Sequence, residues 1–162
     1  MASKLYIVSG APGCGKSTWI KKQIEEKGGI HISRDTIRFS MITEEDEYFS
    51  KENEVFDEFI RQINQAMRDG VENIYVDATH INKFSRRKTL DRLDFSFSYQ
   101  VVYAKFETPL NICLERNAQR EGLAFVPSSV IRRMYYQQDD FFEHYGENTT
   151  LIRIDENGDV IE

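Results

Sequence analysis

The sequence predicts an α/β domain: a mostly parallel sheet of about five strands flanked by helices, with a small helical lid. Three observations lead there. Short apolar runs of strand character alternate along the chain with segments whose apolar residues recur at helical spacing. A glycine-rich loop joins the first such run to the first helical segment. The 162 residues, 40% of them apolar, contain no internal repeat, low-complexity run or linker, so one core and one domain over 1–162 account for the length.

Taken in order, Lys4 to Ser9 reads as a buried strand. The loop Gly10-Ala11-Pro12-Gly13-Cys14-Gly15-Lys16-Ser17-Thr18 follows, and the helix behind it puts Trp19, Ile20 and Ile24 on one stripe before Gly28-Gly29 ends it. Ile30 to Ser33 is a short second strand running into a helix, with Ser33 or Asp35 near its cap. The acidic stretch 43–50 reads as a loop or a mobile helix end. Over 51–69, Phe56, Phe59, Ile60, Ile63 and Met67 repeat at helical spacing and Gly70 closes the pattern, which assigns these aromatics to core packing alone. Asn73 to Asp77 is a third strand with an aspartate at its carboxyl end. A basic helix over 83–93 leads to a fourth strand over 99–106, whose alternation runs back through Phe97 and Phe95. Thr108-Pro109 caps and starts a helix with Leu110, Cys113 and Leu114 inward, and Pro127 opens another that buries Val130, Ile131 and Met134. The remainder, 150–162, is a last strand that turns at Asn157-Gly158 into a strand or hairpin.

Charge and cysteine usage narrow the function classes. With 21 basic against 27 acidic residues the net charge is −6, which argues against coating long nucleic acid through a general basic field but permits a local basic pocket. Cys14 and Cys113 are too few and too far apart for a disulfide framework or a zinc site, favouring a reducing compartment. The N-terminus shows no signal-peptide pattern and no stretch approaches a membrane span, so a soluble, cytoplasmic protein without a membrane partner is expected. Arg86-Arg87-Lys88 reads as a solvated helix face, His31, His80 and His144 as structural or exposed, and Tyr135-Tyr136 and Phe141-Phe142 as packing residues rather than base-stacking ones.

The loop at 10–18 carries the chemistry. Its glycines bend the chain so that backbone N–H groups converge on a phosphate, Lys16 reaches the β/γ-phosphates and the Ser17 hydroxyl holds magnesium. ATP and Mg²⁺ are therefore the expected cofactors. Phosphoryl transfer further needs an acceptor-activating base, a carboxylate on the metal side and one or more arginines. Ligands of such sheets bind at the carboxyl ends of the strands, so Asp35 and Asp77 both face the loop. Asp35 can accept a hydrogen bond from an incoming hydroxyl, and Arg38, on the same helix face, can hold a neighbouring phosphate; a helix cap paired with an arginine is the alternative. Asp77 stands where metal-bound water is held, making Ser17 and Asp77 the candidate metal pair, or it caps the next turn. Arg116 and Arg120 suit a lid that closes on the triphosphate, and equally a pair of surface arginines.

These stretches, with Ser33-Arg34-Asp35-Thr36-Ile37-Arg38, Val76-Asp77-Ala78-Thr79, Glu115-Arg116-Asn117-Ala118-Gln119-Arg120, Val126-Pro127 and Arg132-Arg133-Met134-Tyr135, resemble the 5′-kinase module of bacteriophage polynucleotide kinases, of the P-loop kinase superfamily, over about 4–140. The resemblance implies transfer of the ATP γ-phosphate to the 5′-hydroxyl of a DNA or RNA strand. Under it Lys16 and Ser17 bind phosphate and magnesium, Asp35 is the general base, Arg38 grips the acceptor's 3′-side phosphate, and Arg120 with Arg116 clamps the donor. Bifunctional members carry a second domain with an Asp-x-Asp-Gly-Thr motif; 155–159 does not fit it, so no 3′-phosphatase activity is expected. A P-loop kinase acting on a nucleoside, sugar or sugar acid, and a nucleotide-sensing module that presents the acidic 44–58 region to a partner, are the competing readings.

Overall fold

The computed structural model describes residues 3–139 and 149–161. Strands β1 (Lys4–Ser9), β2 (Ile30–Ser33), β3 (Asn73–Asp77), β4 (Gln100–Phe106) and β5 (Thr149–Ile154) form one sheet in the order β2-β3-β1-β4-β5. Every pairing in it is parallel. Helices α1 (Lys16–Lys27), α2 (Arg34–Met41), α3 (Glu52–Arg68), α4 (Lys83–Leu90), α5 (Leu110–Ala118) and α6 (Ser128–Gln137) lie between the strands in sequence. Parallel strands need such crossovers, and with both faces covered they become continuous apolar runs.

Strand alternation sorts the core into two halves. Leu5, Ile7, Ile74, Val76, Val101 and Tyr103 turn to one face and pack with Phe59, Ile63 and Met67 of α3. Tyr6, Val8, Tyr75, Val102 and Ala104 turn to the other, with Trp19 and Ile20 of α1, Cys113 of α5 and Ile131 of α6. There Tyr6 stacks on Tyr75 at 4.5 Å between centroids, and Trp19 meets both rings and Phe106 edge-on. Each such aromatic or branched side chain taken from water stabilises the fold by about 1.5–3 kcal/mol before entropy is counted.

The register positions the site. Val8 and Ser33 both pair with Asp77, so the ends of β1, β2 and β3 finish in one row beside the glycine-rich loop. Ser33 caps α2 by accepting the Thr36 N–H.

Several sequence expectations are corrected. The basic helix stops at Leu90, because Arg92 and Leu93 bond back to Thr89 and Leu90 in tighter turns. Phe95 and Phe97 precede β4 in turns, where Asp94 accepts the Ser96 N–H and hydroxyl. Arg86 is buried, not solvated: it donates to the His80 carbonyl and pairs with Asp139. Tyr136 is 74% exposed rather than packed. After β5, a single antiparallel bridge joins Ile154 to Val160 around a turn held by Asp155 Oδ1, so no second strand forms there. The expectations for Phe141, Phe142 and His144 fall outside the described residues. Among the described residues, no helix is long and apolar enough to cross a membrane.

Candidate active site

The loop between β1 and α1 folds as its glycines dictate. Gly13 and Gly15 sit at φ 86° and 102°, the left-handed region that costs other residues strain. A Cβ on Gly13 would also lie 2.5 Å from the Cys113 carbonyl oxygen. Gly15 caps α1 without a side chain, and the first turn holds no acid, a helix N-terminus whose free N–H groups and dipole suit an anion. Lys16 Nζ donates to the carbonyls of Gly10 at 2.8 Å and Ala11 at 3.3 Å. Thr108, expected as a helix cap, instead donates its hydroxyl to the Cys14 carbonyl at 2.7 Å, and Pro109 occupies the cap of α5. Both cysteines are free and buried; burial raises the Cys14 thiol pKa and pushes Cys113 up to about 11.

Ser17 Oγ donates to Asp77 Oδ2 at 3.1 Å, and His31 Nε2 lies 2.8 Å from the same oxygen. Burial opposes the charge on Asp77, yet the His31 hydrogen bond, Lys16 and Ser17 together hold its pKa below the ordinary carboxylate range. A hydroxyl and a buried, ionised carboxylate are hard oxygen donors, the set that suits magnesium alongside phosphate and water. Among the described residues no group of three or more His, Cys, Asp and Glu side chains gathers to cage a metal unaided. His31, read from sequence as structural or exposed, belongs to this cluster.

Across the cavity, α2 and the turn ahead of α3 build a second cluster. Arg38 is buried and pairs with Asp35 Oδ1. It forks onto Glu52, Nε to Oε2 at 3.0 Å and Nη2 to Oε1 at 2.6 Å, and Arg34 donates to the same Oε1 at 2.7 Å. Tyr48 donates to Asp35 Oδ1 at 3.2 Å. Both contacts to Asp35 fall on Oδ1; Oδ2 makes no hydrogen bond among the described residues, and the side chain is 57% exposed. Burial works against the Arg38 charge, but Glu52, Tyr48 and Asp35 hold its pKa above the usual value. Burial and the Asp35 charge push Tyr48 up to about 12. Arg34 stacks over Phe56 at 5.0 Å, so that aromatic does more than fill the core.

The two clusters line one cavity of about 580 Å³, which takes in Lys16, Ser17, Asp35, Arg38, Asp77 and Arg120. A second hollow of about 480 Å³ lies beyond the loop between Trp19, Phe106, Arg116 and Asn157. Arg120 borders both, while Arg116 donates to the Glu156 carbonyl at 2.6 Å and passes beside Gly15. The candidate site residues Lys16, Ser17, Asp35, Arg38, Asp77, Arg116 and Arg120 thus all line one or other of these two hollows. His31, Tyr48 and Glu52 were not among them; Tyr48 and Glu52 reach Asp35 and Arg38 across a turn, a juxtaposition that helical periodicity does not signal.

A five-stranded parallel sheet in this order, with a phosphate-binding loop after its central strand, is the α/β fold of the P-loop kinases. The profile described as "AAA domain" matches residues 5–144, and the chain belongs to that family. Solved structures share the architecture. A gluconokinase from Sinorhizobium meliloti 1021 is 16% identical at a TM-score of 0.57, over 93% of this chain and 82% of its own. A fungal RNA kinase is 15% identical at 0.61, over 95% and 74%. A chain of the Pnkp1/Rnl/Hen1 RNA repair complex is 22% identical at 0.70, over 84% of this chain and 44% of its own. At these identities the common property is the fold.

Proposed function

We propose that this chain is an ATP-dependent polynucleotide 5′-hydroxyl kinase acting on a DNA or RNA end. The observation that carries the reading is the single cavity in which Lys16 and the Ser17–Asp77 pair face the Asp35–Arg38 pair. Lys16, the loop amides and Arg120 hold the triphosphate, and Arg116 supports its outer side. Ser17 and Asp77 would hold magnesium, which supplies charge neutralisation on the phosphates when bound. Asp35 Oδ2 accepts the proton of the attacking hydroxyl. The acceptor oxygen bonds to the γ-phosphorus as the bond to the β,γ-bridging oxygen breaks, and ADP leaves. Arg38 spends four of its five N–H groups on Glu52, Asp35 and Tyr48, leaving one on Nη2 for an acceptor phosphate.

The RNA kinase and the RNA repair complex among the structural neighbours support the reading. A gluconokinase neighbour favours a second one, a kinase for a sugar acid. Labelled ATP offered with a 5′-hydroxyl oligonucleotide, mononucleosides and gluconate separates the two. Label is expected on the oligonucleotide; label only on a small molecule would overturn the proposal.

A further inference from the structure

We propose that Phe49, with Phe39 and Tyr48, forms a stacking wall for the terminal nucleobase of the acceptor, a step that rests on the polynucleotide reading above. The turn before α3 folds back onto Arg38, whose guanidinium carbon lies 4.7 Å from the Tyr48 ring centroid and 5.4 Å from that of Phe49. Tyr48 meets Phe49 edge-to-face at 4.7 Å and 79°, and Phe39 at 6.2 Å and 72°. The three rings fix one another, and all three line the cavity that holds Asp35.

Two features say what such a wall takes. Phe49 keeps 49% of its surface exposed although it stands in a cavity wall, an apolar ring facing the space beside the hydroxyl-activating carboxylate. The same cavity is lined by Ala124, Val126, Pro127, Val130 and Met134, which add apolar surface to that of the three rings, while Ser33, Thr36, Glu52 and Thr79 supply its polar part. A nucleobase brings a flat π-face, which an aromatic side chain accepts whatever the base. Tyr48 joins the wall to the chemistry, since its ring is held by Arg38 and its hydroxyl donates to Asp35.

The test compares a 5′-hydroxyl oligonucleotide with the same strand whose terminal residue is abasic, in wild type, Phe49→Ala and Phe49→Trp. Stacking of this kind predicts that wild type has a KM about 5- to 100-fold lower for the base-bearing end. Phe49→Ala should raise that KM by a similar factor and erase the difference between the two acceptors, while Phe49→Trp retains it. Equal loss on both acceptors in Phe49→Ala, or a wild type indifferent to the base, would overturn the wall alone. No transfer to either strand would overturn the polynucleotide reading and the wall together.

Discussion

His80 shows how a single side chain can be structural and still govern pH behaviour. It is fully enclosed, Nδ1 lies 2.9 Å from the Val8 carbonyl oxygen and Nε2 3.0 Å from Thr89 Oγ1, and burial lowers its pKa to about 4. The unfolded chain binds that proton near pH 6.5, so stability is complete above this value and falls as the pH drops toward 4, by about 3 kcal/mol. Urea unfolding followed from pH 7 to pH 4 should show the loss, and His80→Gln should flatten it. Asp35 gives the residue-scale test of the chemistry. Asp35→Asn should lower kcat about 100-fold or more while ATP affinity holds, as expected when a proton acceptor alone is removed; unchanged turnover would reject Asp35 as the base. Asp35 and Arg38 were legible because spacing puts them on one helix face after a strand. His31 was not, because its partner Asp77 belongs to a neighbouring strand and strand order is invisible to local periodicity.

Between elements, two joints hold the site. Glu52 at the start of α3 neutralises Arg34 and Arg38 from α2, and the pair of guanidinium groups keeps the carboxyl ionised against burial. Glu52→Gln replaces the carboxylate that Arg34 and Arg38 share with a neutral amide, and Arg38 keeps Asp35 as its ion partner. We expect it to cost about 1–3 kcal/mol in denaturant unfolding, with the KM for the acceptor rising alongside. The other joint ties the phosphate loop to α5 through Thr108 and Gly13. Gly13→Ala forces a side chain into a left-handed position and against the Cys113 carbonyl, at about 2 kcal/mol or more. Calorimetry should show a lower Tm and nucleotide titration a weaker ATP affinity. The helices were readable from their apolar spacing, and their ends less so: the basic helix lost its last residues to tighter backbone-bonded turns, and the strand after it lost its first to a turn in which the Asp94 side chain competes for the backbone.

For the whole molecule, the alternation of strands and helices already carried the α/β class. The order β2-β3-β1-β4-β5 came only from the structure, since it depends on how the two faces of the sheet are filled. That order puts the loop-bearing strand in the middle, so a ligand on the loop braces both halves of the core. ATP with magnesium at a hundred times its Kd should stabilise the chain by about 2.7 kcal/mol, read as a rise in Tm.

The two thiols have a practical consequence. Cys14 and Cys113 are the chain's whole complement of thiols, and both lie inside the protein with their ionisation suppressed. Alkylating reagents should therefore react slowly with the native protein, and the pace of labelling becomes a clock for opening of the fold. One cysteine introduced on the surface should take a fluorophore well ahead of these two.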